Sequence, residues 1–113
     1  AGEVVGRSGD QDFSYQNAFV PFFGVAASTL IGTAALAARA GVPVFLLWSR
    51  REANGQYRIR IEREWPGWRE ATPEQQAATY MRALELEVRK APAQYLWVHR
   101  RFKTRPPGEA PFY

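Results

Sequence analysis

The stretch VPVFLLWSRREANGQYRIRIER, residues 42–63, decides the fold because it predicts two paired strands. Residues 42–48 form a continuous apolar run of the kind found in an interior strand. Residues 57–63 alternate apolar and charged side chains, as a half-exposed strand does. Asn54-Gly55 lies between the two runs and is the strongest short signal for a hairpin. We therefore expect two strands that pair antiparallel.

Upstream of this stretch, the sequence predicts a strand and then a helix. Residues 3–7 are rich in valine and are followed by turn formers, which is typical of a short buried strand. Residues 28–40 are dominated by alanine, leucine and isoleucine, begin with Ser28 and Thr29, and stop before Gly41, as a helix does. The order strand, helix, strand predicts a right-handed parallel crossover. Together with the hairpin it predicts an α/β fold with a mixed sheet of at least three strands and packed helices.

The segment 13–38 contains no charged residue, and its length alone would suit a membrane span. Polar residues, glycines and a proline interrupt it, however, among them Asn17, Pro21 and Gly24. We interpret the segment as a buried loop that leads into a core helix.

A second helix is predicted by Thr72, Pro73 and Gln75, which provide a capping threonine, a proline at the first helical position and an amide three residues after the cap. Apolar residues then recur at positions 77, 81, 84 and 88, and Pro92 closes the segment. This pattern indicates an amphipathic helix that lies on the sheet. We divide the chain into an α/β body, residues 1–92, and a basic, aromatic tail, residues 93–113.

Composition limits the function classes. The 113 residues suit one small domain or part of one, and the absence of cysteine with only one histidine excludes thiolate and histidine-rich metal centres. The formal charge of +4 favours anionic partners without choosing among phosphates, acidic proteins, nucleic acid and anionic lipid.

Three ordered stretches carry a resemblance to a known family. They are DQD at residues 10–12 leading to FVPFFG at 19–24, AST at 27–29 with Gly32 and the alanine-rich segment, and QYLWVHRRFKTRP at 94–106. Together they resemble the C-terminal portion of the lipid A biosynthesis (lauroyl/myristoyl) acyltransferases, which are related to the lysophospholipid acyltransferases. The resemblance identifies residues 1–113 as the C-terminal part of a single acyltransferase domain.

The resemblance implies transfer of a fatty acyl chain from acyl carrier protein to a hydroxyl of the phosphorylated lipid A precursor. It places the enzyme at the cytoplasmic face of the bacterial inner membrane, with no cofactor, no metal and no nucleic-acid partner. It also implies that these residues are a fragment of a lysophospholipid-acyltransferase-like fold. In that fold, strands upstream of this region complete the sheet.

The catalytic motif of the superfamily is missing from this chain. In that motif a histidine base is followed five positions later by a carboxylate that orients it. His99 is the only histidine, and Thr104 stands five positions after it. The resemblance places the motif before Ala1, and the family's membrane anchor as well, so we expect no catalytic residue here and no acyl transfer by this chain alone. Because no carboxylate stands at the required spacing, we expect His99 to be structural rather than catalytic.

The candidate substrate-binding residues are Asp10, Asp12, Ser28, Thr29, Arg100, Arg101 and Lys103. The resemblance places Asp10 and Asp12 in an acidic motif that shapes the acceptor site, although aspartates also commonly cap their own turn. Ser28 and Thr29 could present helix N-terminal amides to a phosphate, or simply cap the helix.

The basic cluster Arg100, Arg101, Lys103 and Arg105 suits acceptor phosphates, lipid headgroups or the acidic carrier protein, while a solvated face is the plain alternative. Tyr95 and Trp97 beside it resemble an interfacial anchor. Phe19, Phe22 and Phe23 could line an acyl-chain pocket or belong to the core.

Two other classes of function remain open on the residues alone. Basic residues interleaved with aromatic ones could bind single-stranded nucleic acid, although no motif for this is present. A purely structural interaction domain would need no site, and in it an Asp12→Asn change would leave activity untouched.

Overall fold

A computed structural model describes residues 2–113. These residues form two β-hairpins and two α-helices, a small α/β structure. The elements are, in chain order, β1 Asn17–Phe22, β2 Val25–Leu30, α1 Thr33–Ala40, β3 Phe45–Arg51, β4 Tyr57–Arg63 and α2 Pro73–Lys90, followed by a short 3-10 turn, Pro92–Gln94.

The first hairpin, β1–β2, packs against α2 to form the core. Alternate residues of β1, namely Ala18, Val20 and Phe22, face inward, and Met81 and Leu84 of α2 pack with them. Burial of these side chains from water is the main stabilising contribution to the structure. Tyr95 and Phe102 of the tail pack against the same core.

The second hairpin, β3–β4, has the predicted antiparallel pairing, so that part of the sequence prediction is confirmed. Leu47 pairs with Ile61, and Ser49 with Ile59, around the Asn54-Gly55 turn. The hairpin contacts α2 through Trp48, whose ring stacks on Tyr80 at 6.0 Å between centroids. The side-chain amide of Gln94 bonds the backbone N–H and C=O of Arg51, both at 2.8 Å, which fixes the 3-10 turn to this hairpin.

The predicted mixed sheet was wrong. Within residues 2–113 there are two separate two-stranded antiparallel sheets and no parallel crossover. Residues 3–7 form no strand, and Val4 and Val5 are 93% and 79% exposed. A strand requires a neighbour for its backbone hydrogen bonds, and the described residues place none beside this segment.

The predicted bounds of the first helix and the predicted interior strand were also wrong. Ser28 and Thr29 belong to β2, because this segment pairs with β1 and Gly32, at φ 93°, separates it from α1. The strand predicted at 42–48 begins at Phe45, and every second residue of it is exposed because its sheet has only two strands.

The uncharged segment 13–38 forms the first hairpin and most of α1, so it is part of the fold. Among the described residues, no helix has both the length and the apolar character needed to span a bilayer.

Candidate functional site

The acidic loop at residues 10–12 is held against the tail by Asp12. The Asp12 carboxylate accepts two hydrogen bonds from Thr104, at 3.2 Å from the backbone N–H and 2.7 Å from the hydroxyl. The Asp12 backbone N–H donates to Nε2 of His99 at 3.0 Å. These three bonds join two segments about ninety residues apart in the sequence. We call them the Asp12 clip.

His99 has a structural role in this arrangement, because its Nε2 accepts the Asp12 N–H. Five positions after it, where the catalytic motif has a carboxylate, stands Thr104. Thr104 instead binds the carboxylate of a distant residue. Sequence reasoning missed both contacts, since neither residue type nor spacing connects Thr104 to Asp12.

Arg101 lies buried next to the clip, and no carboxylate of residues 2–113 is within hydrogen-bonding distance of it. The residue is only 2% exposed. Its guanidinium donates to the carbonyl oxygen of Ser28 at 2.7 Å and to the hydroxyl of Thr29 at 2.9 Å. Its guanidinium also lies 5.9 Å from the centre of the Phe22 ring, and its Nε has no partner among the described residues. Burial lowers the pKa of Arg101, and the charges of Asp12 and Asp10 partly oppose that effect.

Two tyrosines complete the surroundings of Arg101. Burial raises the pKa of Tyr80 to about 12 and also raises that of Tyr95, so both stay neutral over the physiological range. The Tyr95 hydroxyl lies 3.5 Å from the Asp10 carbonyl oxygen. The Asp10 carboxylate accepts a bond from the Ser8 hydroxyl at 2.7 Å and is only partly buried.

Ser28 and Thr29 are buried in β2, and their hydroxyls form hydrogen bonds inside the protein. Ser28 donates to the carbonyl of Phe13 and accepts from the Asn17 side chain, while Thr29 donates to the Ala27 carbonyl at 3.0 Å. Because both residues lie in a strand, they do not begin a helix and present no helix N-terminal amides to a phosphate. Their assignment as substrate-binding residues stays a prediction.

The basic cluster of the tail divides into inner and outer members. Arg101 points inward, and Arg105 donates to the Ala26 carbonyl at 2.7 Å and pairs with Glu109. Arg100 and Lys103 are exposed, and the Arg100 guanidinium lies 5.7 Å from the centre of the Tyr113 ring. The structure therefore brings Asp10, Asp12, Ser28, Thr29 and Arg101 together and leaves Arg100 and Lys103 at the surface.

The three candidate pocket phenylalanines also separate. Phe22 is core, and Phe19 lies partly exposed on the opposite face of β1. Phe23 lines an open groove of about 340 Å³ with Val88, Arg89, Pro92 and Trp97. Phe23 adopts a left-handed backbone at φ 49° in the turn between β1 and β2, and its N–H donates to the Glu85 carboxylate at 2.6 Å.

Comparisons with known proteins agree with this arrangement of motifs. A family described as Bacterial lipid A biosynthesis acyltransferase matches residues 1–104. The chain is 42% identical over 116 residues to the lipid A biosynthesis palmitoleoyltransferase of Escherichia coli K12, covering 99% of the chain and 37% of that protein. It is 39% identical over 115 residues to the lipid A biosynthesis lauroyltransferase of the same organism, covering 95% and 36%. A lipid A biosynthesis acyltransferase of Haemophilus influenzae is 34% identical over 103 residues, covering 88% and 31%.

The chain thus spans about a third of the length of these relatives and matches the C-terminal portion of the first two. The family match extends over almost the whole chain and includes the acidic loop, the first hairpin and the Asp12 clip. The chain therefore belongs to the bacterial lipid A biosynthesis acyltransferase family.

Proposed function

We propose that the complete protein transfers a fatty acyl chain from acyl carrier protein to a hydroxyl of the phosphorylated lipid A precursor. Membership of the family supports the reaction class, and the names of the relatives supply lipid A biosynthesis as its setting. The reaction takes place at the cytoplasmic face of the bacterial inner membrane, on a lysophospholipid-acyltransferase-like fold that this region completes together with the rest of the polypeptide.

We further propose that residues 1–113 contribute acceptor-binding groups rather than the catalytic base. The observation that carries this role is the Asp12 clip over the buried Arg101. It fixes a partly buried carboxylate between the acidic loop and the tail, and a fixed carboxylate can accept a hydrogen bond from a sugar hydroxyl and orient it for attack. Arg101 acts as a positioning residue, since it ties β2 to the tail from beneath.

The nucleic-acid alternative is not favoured by the arrangement of the cations. Single-strand binders track the phosphate backbone with an exposed basic groove. Here two of the four cations of the tail cluster, Arg101 and Arg105, are turned to backbone carbonyls of the first hairpin.

The test compares two variants of the full-length protein in membranes, with acyl transfer to radiolabelled lipid A precursor as the readout. In Asp12→Asn the amide can still bond Thr104, so the clip remains while the charge is lost. In Thr104→Val the charge remains and the clip loses its hydroxyl. We expect Asp12→Asn to lose about 10²-fold or more in rate, typical of a polar group that acts in the transition state, and Thr104→Val to lose much less.

Equal losses in both variants, accompanied by equal losses of thermal stability, would reduce Asp12 to a structural residue. Full activity in Asp12→Asn would do the same. Absence of transfer by the unmodified full-length protein with either acyl carrier protein or coenzyme A thioesters as donor would refute the proposed reaction. The 113-residue chain alone should give no transfer.

A further inference from the structure

Three consecutive apolar side chains are exposed at one turn of the tail. Leu96, Trp97 and Val98 are 60%, 58% and 86% exposed, and the turn is closed by a hydrogen bond from the His99 N–H to the Leu96 carbonyl at 3.1 Å. We call residues 96–98 the apolar turn. Exposed single apolar residues are ordinary, but a contiguous group of large ones marks a contact surface.

The apolar turn is held rigidly from both sides. On one side the Tyr95 ring packs 5.7 Å from the ring of buried Phe22, and on the other His99 accepts the Asp12 N–H. The indole N–H of Trp97 donates to the Pro92 carbonyl at 2.7 Å. Little conformational entropy is therefore lost when this surface binds a partner.

Cations without acidic partners surround the turn. No aspartate or glutamate occurs from Val88 to Gly108, while six lysines and arginines do. Among the described residues Arg89, Arg100 and Lys103 make no salt bridge, and the Arg89 guanidinium lies over the Phe23 ring at 4.9 Å, within the groove that Trp97 also lines. The nearby acids are engaged, since Glu85 accepts the Phe23 N–H and Glu109 pairs with Arg105.

We infer that the apolar turn docks on an anionic lipid bilayer, with Leu96, Trp97 and Val98 entering the headgroup region and Arg89, Arg100 and Lys103 contacting lipid phosphates. Tryptophan with a ring of lysine and arginine is the arrangement that binds a membrane interface. An acidic protein would match the cations but would not account for the three exposed apolar side chains. The inference deepens the proposed function and rests on it only for the identity of the membrane.

The test is co-sedimentation of the 113-residue chain with vesicles of phosphatidylglycerol and phosphatidylethanolamine, compared with phosphatidylcholine vesicles. We expect binding to the anionic vesicles that weakens with salt. The double variant Leu96→Ser with Val98→Ser should weaken it about ten-fold or more, because two apolar side chains no longer leave water. Arg100→Gln with Lys103→Gln should weaken it roughly five-fold for each cation removed.

Matched controls lie elsewhere on the surface. Ile59→Ser with Ile61→Ser removes two exposed apolar side chains of β4, and Arg39→Gln with Arg63→Gln removes two exposed cations without salt bridges among the described residues. At protein concentrations low enough to keep the chain monomeric, both should bind as the unmodified chain does. Bromine-labelled lipid chains should also quench part of the tryptophan fluorescence, and this quenching should be lost in Trp97→Phe.

Unchanged binding in the Leu96/Val98 variant, or a larger loss in the Ile59/Ile61 variant, would overturn the inference. Loss only in the Arg100/Lys103 variant would show that binding to the vesicles is electrostatic alone, without entry of the apolar turn into the headgroup region, and would equally overturn it. Because no acyl transfer is measured, these outcomes are independent of the proposed reaction.

Discussion

Gly9 lies directly against the edge of the Tyr80 ring, just before the acidic loop. A Cβ atom on Gly9 would be 2.9 Å from Cε1 of Tyr80 and 3.2 Å from Cζ. The ring cannot move easily, because it stacks on Trp48 with an angle of 14° between the planes. The approach of the loop to α2 therefore requires glycine at this position.

Replacing Gly9 by alanine should lower the free energy of unfolding by about 1 to 2 kcal/mol, the cost of overpacking a tight contact. Urea denaturation followed by circular dichroism measures this change. Gly6→Ala is the matched control, since no atom lies within 4 Å of its Cβ position and its φ is not positive. That control should be neutral or slightly stabilising because alanine restricts the unfolded chain. Equal effects of the two substitutions would contradict the proposed contact.

At the residue scale, the sequence predicted which residues form the candidate site better than it predicted their partners. It selected Asp10, Asp12 and Arg101, which the fold brings together. It did not predict the bond between Asp12 and Thr104, because a contact across about ninety residues depends on how the tail folds back over the hairpin. Whether these residues bind substrate stays a prediction.

Helix α2 is the element that the sequence predicted most accurately. Thr72 accepts a bond from the Gln75 N–H at 3.2 Å, and the Gln75 side chain accepts from the Thr72 N–H at 3.0 Å, as in a capping box. The predicted inward residues Ala77, Met81, Leu84 and Val88 are all buried. Both signals are local, and local signals survive without knowledge of the rest of the fold.

Thr72→Ala should lower the free energy of unfolding by about 1 kcal/mol, because the Gln75 N–H loses its acceptor. Thermal unfolding by calorimetry or circular dichroism checks this value. Thr79→Ala, in the middle of the same helix, is the comparison: its hydroxyl bonds the Gln75 carbonyl, and alanine has the higher helix propensity. A loss at Thr79 as large as that at Thr72 would show that the cap has no special role.

The first hairpin was missed because its turn has an unusual sequence. Phe23 and Gly24 both have positive φ, at 49° and 77°, as the two central residues of a type I′ turn do. Asn-Gly announced the second hairpin, whereas Phe-Gly gives a weak signal because a bulky residue rarely adopts this conformation. Contacts outside the turn, such as the Glu85 carboxylate on the Phe23 N–H, compensate for it.

The whole molecule leaves one face of the β3–β4 hairpin uncovered. Phe45, Leu47, Tyr57, Ile59 and Ile61 lie on this face and are each 57% to 68% exposed. The molecule measures 45 × 41 × 23 Å, so its smallest dimension accommodates about two layers of secondary structure. The hairpin therefore has a covered side toward α2 and a bare apolar side with open strand edges.

The chain should self-associate through this hairpin, because bare apolar faces and unpaired edges join other copies. Light scattering should show an average mass that rises with protein concentration. The Ile59→Ser and Ile61→Ser double variant should shift this rise to higher concentration, whereas the Leu96→Ser and Val98→Ser pair should not. A strictly monomeric chain at all concentrations would contradict this prediction.

At this scale the sequence predicted the class of fold but not the architecture. Apolar runs at residues 3–7 and 42–48 indicate strands that are covered on both sides. Such patterns indicate that a segment is suited to being covered by other elements. They do not indicate which part of a polypeptide covers it. Both runs are exposed in the structure, wholly or on alternate residues, and residues 2–113 do not form the predicted mixed sheet.

Helix α2 packs against both hairpins, through Met81 on the first and through Tyr80 on the second, yet it is the last of these elements in the chain. During translation both hairpins are therefore made before the helix that packs against them. At about 5 to 20 residues per second the delay after β4 amounts to roughly a few seconds. Over that interval the inward face of the first hairpin, with Ala18, Val20 and Phe22, lacks its partner helix and is available to chaperones that bind apolar nascent segments.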